Sequence, residues 1–283
     1  TTYDYDKQPV EMTFEKAPEK VLAVYQNSIE TLLALGLEDK IVAASGLDHE
    51  VKPAYKDAFA KVNYLSEFKP SKEAATALEP DMILSWTSLF SDKNLGSMKE
   101  WQSQGVNSYN MLNSGAVSPK TLDNEYQDFE NLGKIFDVED KAGELVNEIK
   151  DAVKQTETYA QKENKSPKVL VMEDQSGQIV NYGATTLAGD MVTKLKGTLA
   201  SPDASKLGEE DVVAANPEVI FAVYMDRDDQ DMAAQTKDAI MNNAAFADID
   251  AVKNGRVIPI ELGQMYCSGV RTIDGIHTSA NGM

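Results

Sequence analysis

Cysteine occurs once in the sequence, at Cys267, and histidine twice, at His49 and His277. A lone cysteine excludes an intramolecular disulfide, and so few soft donors make a poor set for binding zinc or an iron–sulfur cluster. Arginine is scarce too: Arg227, Arg256 and Arg271 are the full set. Lysine and arginine together number 27 against 46 aspartates and glutamates, a formal net charge of −19. A surface of that sign argues against nucleic acid and against unaided adhesion to anionic lipid, and suits a basic protein partner. No apolar run approaches the ~18 residues of a membrane span. The chain opens on a polar TTYDYDKQ with no initiator Met and no signal-peptide pattern, which reads as a processed or trimmed chain and is compatible with an exported origin. There is no G-x-S-x-G elbow, no phosphate-binding glycine loop and no H-E-x-x-H, so the sequence offers an enzyme little to work with.

What is present is a soluble composition, with 42% hydrophobic residues in a chain of 283, enough for two domains each with a core. The organising stretch is VEDKAGELVNEIKDAVKQTETYAQKEN, residues 138–164. Val138, Ala142, Leu145, Val146, Ile149, Ala152, Val153 and Thr156 recur there at helical spacing. Asp137 is the expected N-cap, with Glu139 and Asp140 at the positive end of the dipole. Apolar β-type runs alternate with amphipathic helices on both sides. KVLAVYQ, IVAAS, MILSW and VNSYNML read as strands before it, and KVLVMED, VIFAVY and RVIPIE after it. QIVNYG reads as a strand or a hairpin arm. Residues 1–20 read as a leading segment with an edge hairpin at VEMTF. The N-cap of SIETLLALG is expected at Asn27–Ser28, and NLGSMKEWQSQG is expected to be helical over residues 94–105. The fold class is therefore α/β, with two mainly parallel sheets. The expected domains are 1–137, an inter-lobe helix at 138–164, and 165–283.

One echo is specific. Glu73 stands seven residues before Pro80, followed by Asp81 and an apolar strand; Glu210 stands seven before Pro217, followed by Glu218 and another. The two are 137 residues apart, too far for a solenoid repeat and suited to two related lobes.

With PEKVLAVYQNSIETLLALGLEDKIVAAS near the start, NLGKIFDVEDKAGELVNEI at the long helix and AVKNGRVIPI near the end, nearly the whole chain resembles the substrate-binding proteins of ABC importers for ferric siderophores, haem and cobalamin. That resemblance implies two Rossmann-like lobes joined by one long α-helix. It implies a monomer without catalysis or intrinsic cofactor that captures a metal chelate and hands it to a permease dimer. It also implies an extracytoplasmic location, as a membrane-anchored lipoprotein or free in a periplasm. The permease-docking glutamates of the family match Glu73 and Glu210. A plain alternative is that both are first-turn acids favoured by the helix dipole.

Ligands of open α/β sheets bind beyond the carboxyl ends of the strands. That nominates Tyr25, Gln26, His49, Trp86, Tyr224, Arg227, Met265 and Tyr266, and the resemblance adds Arg271. Trp86, at a strand end, offers a face to a flat or greasy chelate or else plugs a core. Tyr25 and Tyr224 form a wall or bury their hydroxyls. Arg227 holds an anionic chelate or pairs within DRDDQD, and Arg271 meets ligand or Asp274. Arg256, at a strand start, reads as structural. His49 touches ligand or is an ordinary loop histidine, and Met265 is one of four strand-end methionines that are core or, as a minority reading, a haem ligand. The scarcity of arginine leans toward an uncharged ferric hydroxamate over a polyanionic catecholate, with haem or a corrinoid as the alternative.

Overall fold

The computed structural model describes residues 1–175, 177–226 and 231–283. Among them the chain forms two compact units: Thr1–Ser118 with Asp123–Val146, and Pro119–Leu122 with Asn147–Met283. The first begins with a hairpin of β1 (Thr2–Tyr3) and β2 (Pro9–Val10). The expected hairpin at VEMTF is thus shifted toward the N-terminus. It continues through β3 (Val21–Val24), α1 (Gln26–Ala34), β4 (Ile41–Ser45), α2 (Lys56–Phe59), α3 (Lys72–Ala77), β5 (Met82–Ser85), α4 (Met98–Ser103), β6 (Asn107–Asn110) and α5 (Leu122–Ile135). Strands β4-β3-β5-β6 form an all-parallel sheet in that order. All four residues of β3 are buried, as befits a strand covered on both faces. Helix α4 is shorter than its sequence pattern. Ser97 accepts a hydrogen bond from Lys99 N and starts the helix late, and Trp101 is buried with its Nε1 donating to Leu95 O.

Helix α6 (Glu139–Lys162) carries the predicted apolar stripe, and the boundary between the units falls within it, after Val146. Ala142, Val146, Ile149 and Ala160 are its buried positions. The expected cap is corrected. Asp137 has φ +56° and Val138 N donates to Gly133 O at 2.8 Å, so Asp137 is the left-handed residue that ends α5. A tight link between two helices needs such a residue, and the end of α5 claims Asp137 before α6 can. The helices approach closely there, since a Cβ on Gly133 would lie 2.7 Å from Ala142 Cβ.

The second unit runs through β7 (Lys168–Gln175), β8 (Gln178–Asn181), α7 (Leu187–Lys194), β9 (Thr198–Leu199), β10 (Lys206–Leu207), α8 (Glu209–Ala215), β11 (Val219–Tyr224), α9 (Met232–Met241), α10 (Asp250–Lys253), β12 (Val257–Glu261) and α11 (Thr272–Gly282). Strands β7, β11 and β12 are parallel; β8 folds back on β7 as a hairpin arm and pairs with β10, while β9 pairs with the start of β7. The sheet order is β10-β8-β7-β11-β12.

The Glu–Pro echo has a structural counterpart in each unit. Glu79 (φ +47°) and Asn216 (φ +39°) both turn the chain in the left-handed region just before the proline. The acid after the proline then fastens the first strand of its sheet. Asp81 accepts from Glu19 N and Lys20 N at 2.8 and 3.0 Å, and Glu218 accepts from Lys168 N at 2.7 Å. Among the described residues no helix is long and apolar enough to cross a membrane.

Candidate functional site

In the first unit the parallel strands end level: Val24 lies opposite Ser45, and Ser85 opposite Asn110. The residues that follow, Tyr25, Gly46, Trp86 and Met111, leave the sheet along one edge. Tyr25 does so with φ +77° and ψ 153°, a conformation normally open only to glycine. It is held there by Tyr25 N donating to Ser45 O at 2.9 Å and by its carbonyl accepting from Ile29 N at 3.1 Å. Its ring centroid lies 4.8 Å from that of Trp86 and 6.2 Å from that of Phe68. The Trp86 indole Nε1 donates to Asn27 Oδ1 at 2.7 Å, which fixes the ring plane. Asn27 and Ser28, expected as the cap of α1, lie inside its first turn; Tyr25 takes the N-cap position without a side-chain bond. Gly46 has φ +82°, and a Cβ there would meet Phe68 O at 3.0 Å and Tyr25 N at 3.2 Å, so the aromatic row needs a glycine beneath it.

Gln26 is buried and faces the loop after β4. Its Oε1 accepts from Asp48 N at 3.1 Å and His49 N at 3.4 Å, and its Nε2 donates to Glu50 O at 3.5 Å. Glu30, also buried, accepts from Lys52 N at 2.8 Å. His49 is half-buried, with Nδ1 3.0 Å from Glu50 O. The turn after β6 is fastened from α5. Asp128 accepts from Tyr109 Oη at 2.7 Å and Leu112 N at 3.0 Å, and Glu125 accepts from Asn113 Nδ2 at 2.6 Å. Burial, then the neighbouring Glu125, holds the Asp128 carboxyl well above the usual range.

In the second unit the matching edge carries Glu173, Tyr224 and Glu261. Tyr182 Oη donates to Glu173 Oε2 at 2.6 Å; burial, then that hydrogen bond, pushes the phenol's pKa up. Burial, then Glu261, also raises the Tyr224 phenol. A cavity of ≈ 320 Å3 opens beside Tyr224, lined by Glu173, Met225, Met232, Gln235, Ile240 and Phe246 among others. Arg271 is buried and pairs with Glu261 at 3.4 Å. Met265 and Cys267 are buried, His277 is exposed, and Arg256 donates to the carbonyls of Gly282 and Met283. Tyr266 is half-buried, with the Lys120 ammonium 3.7 Å from its ring centroid. Arg227 lies outside the described residues. Glu73 and Glu210 are exposed in the first turns of α3 and α8, and neither has a partner among the described residues. Among the described residues no group of three or more His, Cys, Asp or Glu side chains is placed to hold a metal ion.

The sequence reading missed Phe68 and Lys120. Phe68 is an aromatic in a polar stretch with no periodicity, 47% exposed, and Lys120 is one lysine among many. Neither carries a local signal; only the fold brings them to Tyr25 and Tyr266.

Residues 21–261 match the family of periplasmic binding proteins. The chain belongs to that family. It is 29% identical over 266 residues to the petrobactin-binding protein YclQ of Bacillus subtilis (strain 168), covering 90% of this chain and 78% of YclQ. It is 24% identical over 282 residues to YvrC, an uncharacterized ABC transporter substrate-binding lipoprotein of the same organism, covering 97% and 83%. The crystal structure of a periplasmic binding protein from Veillonella parvula DSM 2008 matches with a TM-score of 0.92 at 32% identity, covering 99% of this chain and 89% of that one. As a member of that family it is an extracytoplasmic substrate-binding protein of ABC importers, with a permease as partner and a small molecule as cargo.

Proposed function

We propose that this periplasmic binding protein captures a ferric siderophore, of the hydroxamate type, and delivers it to its permease without chemical change. The observation that carries the reading is the aromatic row Phe68–Tyr25–Trp86 at the strand ends of the first unit. Phe68 is 47% exposed there, and Trp86 is half-buried and locked by Asn27. A rigid, uncharged aromatic face gives a greasy chelate large contact area at little entropic cost. Gln26 and Glu30 act behind it by holding the 46–52 loop. Iron arrives inside the chelate, so the protein itself need not coordinate it.

Fluorescence titration with ferric hydroxamates, ferric catecholates, haem and cobalamin, each beside its metal-free form, tests the reading. Trp86 and Trp101 are the two reporters, and Trp101 is sealed in the first unit's core. Saturable quenching by ferric hydroxamates at sub-micromolar concentration, abolished in Trp86→Phe, is the expected result. A response to haem or cobalamin alone replaces the cargo, and silence toward all four classes overturns chelate capture.

A further inference from the structure

We infer that the cavity beside Tyr224 is a binding site in its own right, for a small apolar molecule that carries no negative charge. All of its described lining belongs to the second unit, so the inference is independent of which chelate the aromatic row of the first unit meets. Its walls come from the β7–β8 hairpin, the end of β11 and α9. At ≈ 320 Å3 it stands at the small end of pockets that take a whole organic molecule. The floor is core: Met172, Ile179, Val223, Ile240 and Phe246 are all buried. The rim is open, with Met225 42% exposed and Gln235 and Ala239 exposed on α9.

The gap has its origin in small residues. Helix α9 reads MAAQTKDAIM, and Ile240 is its one buried residue. Thr236 and Ala239, neighbours on one face of the helix, both line the cavity. Across from them Gly177 turns the hairpin at φ +88°, and a Cβ there would meet nothing within 4 Å. Close-packed interiors leave few voids larger than a water molecule, because unmatched surfaces forfeit dispersion contacts. A gap that reaches this far into a core is apolar surface for a guest to cover. Met172, Met225 and Met232 suit that use, since flexible, polarizable thioethers adapt to guests of different shape and pack well on aromatic rings. Glu173, Asp174 and Glu209 set the sign of the guest. Each accepts from a neutral donor: Tyr182 Oη at 2.6 Å, Gly177 N at 2.8 Å and Asn243 Nδ2 at 2.8 Å. None forms an ion pair among the described residues, so an acidic group on the guest meets like charge.

The test uses the full chain and two fluorescent probes that share one skeleton: N-phenyl-1-naphthylamine, which is uncharged, and 1-anilinonaphthalene-8-sulfonate, its anionic counterpart. Both brighten on leaving water. The uncharged probe should bind saturably and at least about tenfold more tightly than the sulfonate. Ala239→Phe and Thr236→Phe fill the cavity from two positions of α9, and each should weaken the uncharged probe by about tenfold or more. Melting curves of both variants, expected to match wild type, guard against a folding defect, and the chelate titration through Trp86 should not change. Trp86→Phe should leave the probe bound. Probe binding that survives both fillings, that is lost in Trp86→Phe, or that is equal for the two probes overturns the inference, and none of these outcomes touches chelate capture. Silence toward every chelate with the probe still bound overturns capture alone.

Discussion

Tyr25 shows how a single residue is made to carry strain. Its backbone sits at φ +77°, ψ 153°, where an L side chain costs about 1–3 kcal/mol. The ring is stacked on Trp86, with Phe68 beside it, and the backbone is bonded on both sides, so the surroundings over-determine the conformation. Both Tyr25→Ala and Tyr25→Gly lose the ring, but only glycine relaxes the backbone. Tyr25→Gly should therefore be the more stable of the two by about 1 kcal/mol, the reverse of the order in an ordinary strand. Urea unfolding of the pair decides it; alanine equal to or above glycine would mean that no strain is stored there.

Between elements, Asp128 couples α5 to the turn after β6 through a carboxylate that is almost wholly buried. Its raised pKa means the folded state holds the proton more tightly than the unfolded chain. Stability attributable to this group is then greatest in acid and falls as pH climbs from the ordinary value of 3.8 toward the raised one. Asp128→Asn removes that titration while keeping one oxygen to accept from Tyr109 or Leu112. Melting temperature against pH should fall more steeply for wild type than for the variant across this range. Parallel curves would show that Asp128 does not titrate in the folded protein.

At the scale of the whole molecule, each unit presents a glutamate in the first turn of a short helix with no partner among the described residues, Glu73 on α3 and Glu210 on α8. We expect both to meet basic residues of the permease. The double variant Glu73→Lys, Glu210→Lys should leave chelate affinity unchanged and reduce chelate uptake in cells carrying the cognate permease by about tenfold or more, since like charges facing each other cost several kcal/mol. Unchanged uptake would return both residues to the role of dipole-favoured first-turn acids.

The apolar stripe of α6 and the buried run of β3 were legible because their signals lie between near neighbours in the chain. The Glu–Pro echo was legible for the same reason, and with them came the α/β class and the family. The site was legible only as far as strand ends can be read: Tyr25, Gln26, Trp86 and Tyr224 were placed, but not what they do. That Gln26 holds a loop, that Trp86 bonds to Asn27 across 59 positions, and that Asp137 closes one helix and does not open the next were decided by the tertiary structure. So were the exposure of Phe68 beside Tyr25 and the seat of Lys120 on Tyr266, 146 positions away. Periodicity fixes which face of an element is buried; it carries no information about which distant side chains that burial brings together, and recognition depends on those meetings.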